Sequence, residues 1–442
     1  MISKKKNIIS FLHNIPVRLL ILSLILGIAA FTPLFAYTYP NIDTITDVFN
    51  AGKTIPDIAI FFDFTGRYRA SWTLFATVLN AIFSYHIRWY FLLYGVALGV
   101  TLWTMFMLVY QKNKRVQHEL LIIPVLMLLN NITVATYWRL GACESIFTLI
   151  LIWSVLCIQQ KRYTLCILSL LSLIPLKEIS IIVLLITSVY MFVIKKYRYA
   201  LILFISSAMY GLFIKHFIAE SLTEATTPYF LTFTFTSTRL IEMFHTWGFK
   251  IPFVFILSGI NTLLLIIHQI EFKRVANIPL YLLILSVGLL SPYLFLAYTE
   301  EYYLFPSYTC SILCFTYLST TTLQRKKHIQ LGILVGSCIL FFYSQSHKAF
   351  IQQASLMHQA YIQHTKLIER MFQYPYYFYQ RQYNKTVTED AFTSWVNTQN
   401  GTNQDNTSLR AIVHESPTQS EYNGAMWYGP DNAWGIEYIT NN

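Results

Sequence analysis

Apolar runs of helical length alternate along this chain with short basic punctuation. The runs 17–37, 88–110, 119–137, 142–158, 163–176, 178–194, 199–217, 249–269, 277–297, 304–320 and 329–346 carry almost no charge. A helix needs about 20 apolar residues, at about 1.5 Å each, to cross a bilayer. Between the runs stand six clusters of Lys and Arg: Lys4, Lys5 and Lys6 with Arg18; Lys112, Lys114 and Arg115; Lys161 and Arg162; Lys195, Lys196 and Arg198; Lys273 and Arg274; Arg325, Lys326 and Lys327. Basic loops stay on the cytoplasmic side. Residues 70–85 decide the threading. As a span they would put the Lys112 cluster and every later one outside, whereas a helix lying in the outer interface puts all six clusters inside together. The pattern therefore predicts an all-α polytopic membrane protein with about 11 transmembrane helices, a cytoplasmic N-terminus, an outside C-terminus and a helical first outer loop over residues 38–87.

After Ser346 the apolar character falls and Asn, Gln, Thr and Tyr rise. Helical periodicity continues to about Tyr383, and the turn signals Asn400-Gly401 and Gly429-Pro430 then read as a small fold. The expected organisation is a membrane domain over residues 1–346 and a small extracytoplasmic α+β domain over 347–442. Composition agrees: 55% hydrophobic and 12% charged residues, with a mean hydropathy of +0.47, exclude an ordinary soluble protein. The net charge of +11 sits in loops between apolar runs, so it signals orientation and not a nucleic-acid partner. The first run is too long for a signal-peptide core and lacks a small-residue cleavage site, which predicts a retained helix. All six cysteines lie in or beside apolar runs without metal-ligand spacing, as packed small residues do.

With the inner side fixed, the acids and the chemically suggestive residues gather on the outer one. Asp43 and Asp47 stand one helical turn apart just past the first run, where a carboxylate stays ionised, serves as general base toward a hydroxyl, or helps bind a divalent cation; two solvated loop acids are the plainer reading. Arg67 and Arg69 alternate with aromatics at the head of the interfacial helix. They suit either a phosphate clamp or snorkelling anchors. Arg139 and Glu144 flank the start of the run at 142–158, and Lys177-Glu178 interrupts an otherwise apolar stretch. Ionised groups at membrane depth cost about 2.5 kcal/mol or more at mid-span and so mark sites, although near the outer boundary an ordinary turn explains them equally well. Glu300, Glu301 and Tyr302 form a further outer turn with the composition of a sugar or cation contact, or of a solvated turn.

The order of these motifs resembles the polytopic GT-C-type glycosyltransferases that use polyprenyl-phosphate sugars, in particular the protein O-mannosyltransferase-like members that carry tetratricopeptide repeats. Asp43 falls where that family has an acidic motif after its first helix, as a single acid. Gly66-Arg-Tyr-Arg69 is similar to its Arg-Pro element, with Ala70 where proline is expected. Trp138, Gly141 and Glu144 match a Trp, Gly and acid; Leu176-Lys177-Glu178 matches an Ala-Lys-Glu motif. Glu300-Glu301-Tyr302-Tyr303-Leu304-Phe305-Pro306-Ser307 resembles a Glu-Arg-Tyr-Leu-Tyr-Leu-Pro-Ser pattern, an acid replacing the arginine. The likeness covers residues 17–320 and not the tail.

The resemblance implies a lipid-phosphate sugar whose phosphate is held by cations such as Arg67, Arg69, Arg139 or Lys177. Asp43 would take the acceptor's proton, and Glu144, Glu178 and Glu300 would orient the base or bind sugar hydroxyls. Asp47, Glu301 and Tyr302 complete the expected substrate-binding set; no resident metal ligand is assigned, although a divalent cation is compatible with the acids. The expected partners are a polyprenyl-phosphate-linked sugar, membrane lipid and a glycan, lipid or protein acceptor. The expected setting is a bacterial inner membrane with the site facing the periplasm. The alternatives are a polymerase or ligase of lipid-linked glycans, which relies on arginines in a large late loop, and a transporter, which places charges near mid-span.

Overall fold

The computed structural model describes residues 15–35, 69–84, 86–113, 118–128, 131–138, 143–213, 252–272, 277–295 and 301–322, together with four short strands between 376 and 437. Up to residue 322 the described architecture is all-α. Helices α1 (Ile15–Phe35) and α3 (Ile87–Asn113) cross with their backbones in contact. A Cβ placed on Gly27 would meet the Gly95 carbonyl oxygen at 2.4 Å, and one on Gly99 would meet the Leu24 Cα at 2.8 Å. Small residues allow this closeness, because no side chain stands between the two backbones. Trp103 Nε1 donates to the Pro16 carbonyl at 3.1 Å and pins the crossing at one end; toward the other, the Phe31 ring packs on Phe91 at 6.3 Å.

Helix α2 (Ala70–Phe83) precedes α3, matching the helix expected over 70–85. The run at 119–137 does not form one helix. A 3-10 turn at His118–Leu121 leads into α4 (Ile122–Leu128), and α5 (Asn131–Trp138) follows. Pro124 explains where α4 starts: in the first turn its missing N–H has no intrahelical partner to lose.

Two hairpins come next, α6 (Glu144–Gln159) with α7 (Tyr163–Leu171) and α8 (Ser180–Val193) with α9 (Tyr197–Phe213). Their turns are built alike. Lys161 and Lys195 both adopt the left-handed conformation, with φ of 61° and 62°. The following residue then bonds one position further back than an α-helix does, Arg162 N to the Cys157 carbonyl and Lys196 N to the Met191 carbonyl, each at 2.8 Å. This closes the free carbonyls of α6 and α8 in Schellman fashion. The two turns also touch, with the Lys196 ammonium 5.0 Å over the Tyr163 ring. Helix α7 stops short of the expected 176 because Pro175 restricts the residue before it; 3-10-type bonds such as Leu173 N to Leu170 O at 3.1 Å wind the chain down instead.

Helices α10 (Pro252–Phe272), α11 (Asn277–Leu290) and α12 (Phe305–Thr322) complete the bundle. Helix α12 is central: residues 304–320 are all buried, against α4, α6, α10 and α11. Two of its small polar residues, Ser307 and Ser311, bond across to neighbouring helices. Ser286 Oγ lies 2.7 Å from Ser311 Oγ and 3.1 Å from Ser307 Oγ, and Asn261 Nδ2 donates to the Ser311 carbonyl at 2.9 Å. Bonds of this kind contribute on the order of 1 kcal/mol each in an apolar bundle. Cys310 and Cys314 are free and buried on the same helix, packed as expected.

By length and composition one helix, Arg88–Gln111 within α3, is sufficient to cross a membrane; the other apolar helices are shorter, with stretches of 10–17 residues. The 16 residues of α6 rise only about 24 Å, against a hydrocarbon core of about 30 Å. Among the described residues one helix is thus long enough to span by itself and the others are shorter, as several of the apolar runs are; the run 329–346 lies outside them. In the tail, β1 (Tyr376–Phe378), β2 (Ala411–Ile412), β3 (Ala425–Tyr428) and β4 (Trp434–Glu437) form a sheet in the order β2-β1-β3-β4, with β3 and β4 antiparallel and the other pairs parallel. Strand β1 falls where helical periodicity was expected. Its Tyr-Tyr-Phe sequence after Pro375 favours the extended backbone on side-chain grounds.

Candidate functional site at the mouth of the bundle

Helices α6 and α8 begin at the end of their hairpins opposite the basic turns, and other elements join them there. The Ser71 N–H, at the head of α2, donates to the Pro175 carbonyl at 2.9 Å, so the turn forced by Pro175 docks α2 beside the start of α8. Helix α12 begins there as well, after a 3-10 turn at Glu301–Leu304 that packs on α5. The residues at the heads of α2, α6 and α8 are Arg69, Cys143 and Ile179, and none of them makes a side-chain cap. The first amides of α2 and α8 are partly engaged, Ser71 by Pro175 and Ser180 and Ile181 by the Lys177 and Glu178 carbonyls, but each start still carries roughly half a positive charge. Several such starts at one place favour an anion.

The centre of the mouth is a buried ion pair. The Lys177 ammonium donates to Glu144 Oε1, and the two residues are 5% and 1% exposed. The face of Tyr303 covers the ammonium, with Nζ 4.6 Å from the ring centroid. Tyr293 stacks on Tyr303 at 5.4 Å with the rings 2° apart, and Tyr302 packs against it at 4.4 Å. Burial on this scale requires the pair: an ionised group alone in a low-dielectric interior is costly, and the partner with its hydrogen bond offsets that cost.

Around the pair the polar groups are unevenly satisfied. Glu178 is half-buried, yet its Oε1 is enclosed and makes no hydrogen bond among the described residues; the same holds for the Tyr293 hydroxyl and Trp72 Nε1, whose residues are buried. The Tyr293 hydroxyl lies within electrostatic range of Glu178, Arg69, Cys143 and Tyr303. Buried polar groups are nearly always bonded in folded proteins, so such a group beside charges is a place for a ligand. Among the described residues no group of three or more His, Cys, Asp or Glu is placed to hold a metal.

Of the residues singled out by sequence, Arg69, Glu144, Lys177, Glu178 and Tyr302 come together here. Arg69 is 4% exposed, which overturns its reading as a snorkelling anchor: docking through Ser71 and Pro175 carries the head of α2 inward. Lys177 and Glu178 do not form a simple exposed turn either, because Lys177 turns to a carboxylate on another helix. Glu301 opens the 3-10 turn before α12, its side chain undescribed. Asp43, Asp47, Arg67, Arg139 and Glu300 lie outside the described residues. Sequence reasoning missed Tyr293, whose one signal is that Ser291-Pro292 breaks the apolar run just before it.

No protein-family model matches this chain, and no curated protein matches it.

Proposed function

We propose that this chain is a multi-pass membrane glycosyltransferase that moves a sugar from a polyprenyl-phosphate donor to an acceptor hydroxyl at the extracytoplasmic face, in a bacterial inner membrane with its mouth toward the periplasm. The observation that carries the reading is the buried Lys177–Glu144 pair under Tyr303, with Arg69 and Glu178 beside it and uncapped helix starts around it. A membrane setting is supported by the outward faces of the helices: Val189 and Phe192 on α8, Phe204 and Met209 on α9, and Leu263 and Ile270 on α10 are all more than half exposed. Large apolar side chains exposed in this number suit lipid better than water.

The reaction asks little covalent chemistry of the protein. The acceptor oxygen attacks the anomeric carbon, the bond from that carbon to the phosphate oxygen breaks, and the electron pair leaves with the phosphate. The acceptor's proton passes to a carboxylate, for which Asp43 is the assignment. Charge accumulates on the leaving phosphate, so fixed cations and amide dipoles at that point lower the barrier. Arg69 and Lys177 supply the cations. Glu144 positions Lys177, and Glu178 with Tyr302 offers polar contacts to sugar hydroxyls.

The test is turnover of a labelled polyprenyl-phosphate sugar by the purified full chain in liposomes. Asp43→Asn is expected to abolish transfer at normal expression, and retained transfer removes Asp43 from the chemistry. No turnover of any such donor by the wild-type protein would remove the function itself.

A further inference from the structure

Among the described residues of the mouth the charges are not shared equally. Against the cations Lys177 and Arg69 stand the two carboxylates of Glu144 and Glu178. Glu144 is held by Lys177, while Glu178 Oε1 makes no hydrogen bond among the described residues. The ammonium is shut in by the Glu144 carboxylate and by the face of Tyr303 at 4.6 Å. The one described carboxylate that neutralises Lys177 is therefore also the nearest obstacle to any anion seeking it.

We propose that the Lys177–Glu144 pair is a latch which the donor's phosphate opens: the phosphate head of a polyprenyl lipid takes the ammonium away from Glu144. The inference rests on the donor reading above and adds to it the internal anion with which the ligand competes. Two anions at one ammonium draw on the same three N–H donors and repel each other. In a buried site that repulsion is weakly screened. Glu144 thus holds Lys177 in place and opposes a phosphate bound beside it. Removal of its charge tightens phosphate binding, the reverse of the effect of deleting a residue that grips the ligand.

The experiment measures binding to the full chain in phosphatidylcholine nanodiscs, with undecaprenyl phosphate and the neutral alcohol undecaprenol as probes. Wild-type protein is expected to prefer the phosphate. Glu144→Gln is expected to bind the phosphate about tenfold tighter, within the usual range of coupling between two sites, with the alcohol unchanged. The double variant Glu144→Gln, Lys177→Gln leaves neither charge of the pair buried alone, and it is expected to lose the preference. Glu144→Asp keeps the charge but withdraws it by one methylene; if Glu144→Gln fails to fold, a smaller tightening in this variant carries the same conclusion. Phosphate binding that is unchanged or weaker in the folded Glu144 variants overturns the latch and leaves the donor reading standing. A wild-type protein that does not distinguish phosphate from alcohol overturns both. Inorganic phosphate in the buffer and phosphatidylglycerol in the disc serve as competitors, and displacement by either at equal concentration overturns the isoprenoid phosphate as the opener.

Discussion

The hairpins α6–α7 and α8–α9 are alike at one end and unlike at the other. At the basic turns the agreement extends to a lysine of left-handed conformation in each, the same backward hydrogen bond, and a tyrosine two residues on. The spacing from Glu144 to Lys161 equals that from Glu178 to Lys195, so the two acids stand at matching places. Yet Glu144 opens its helix and is locked to Lys177, whereas Glu178 lies just before α8 with an oxygen enclosed and unbonded among the described residues. The turns are settled by local backbone chemistry, which any chain of suitable sequence satisfies. The mouth is settled by partners from distant parts of the chain, and it retains an imbalance that folding alone would remove.

That contrast can be broken most directly at the ion pair. Lys177→Ala leaves Glu144 buried without its cation and is expected to cost about 3–5 kcal/mol, read as a lowered Tm in detergent. Glu178→Gln at the matching place is expected to change stability by no more than about 0.5 kcal/mol, as for a site with no bonded partner to lose, while sugar transfer falls. Equal loss of Tm in the two variants would make the acids equivalent and end the comparison. A middle-sized effect is expected from Tyr303→Leu, which removes the ring over Lys177 at a cost of about 1–2 kcal/mol; an unchanged Tm there would show that the ring only fills space. A small effect of opposite sign belongs to the other end. Lys161→Gly or Lys195→Gly relieves a non-glycine residue of its left-handed backbone and is expected to stabilise by about 1 kcal/mol. A destabilised variant would mean that the lysine side chain, and not the turn geometry, holds the hairpin.

Much of the helical layout was legible in the sequence. The ends of α1, α2, α6 and α8 fall within a few residues of the apolar runs that predict them, because charge and hydrophobic period act locally. The late start of α4 and the early stop of α7 were less legible, since a hydropathy pattern does not weigh Pro124 and Pro175. The site was legible in its members and not in its pairing. Adjacent Lys177 and Glu178 suggest a unit, but the bond runs from Lys177 to Glu144, 33 residues away, and only the docking of α6 against the turn before α8 creates it. Tyr293 escaped because an aromatic residue in an apolar run carries no mark of the charges that the fold will bring beside it.

The glycine contact between α1 and α3 also bears on the route open to the proposed lipid donor. Where Gly27 sits against Gly95 and Gly99, the two helices act as one wall, with no seam wide enough for an acyl or isoprenoid chain. On the donor proposed above, a tail arriving sideways would have to slide along some other groove of the bundle.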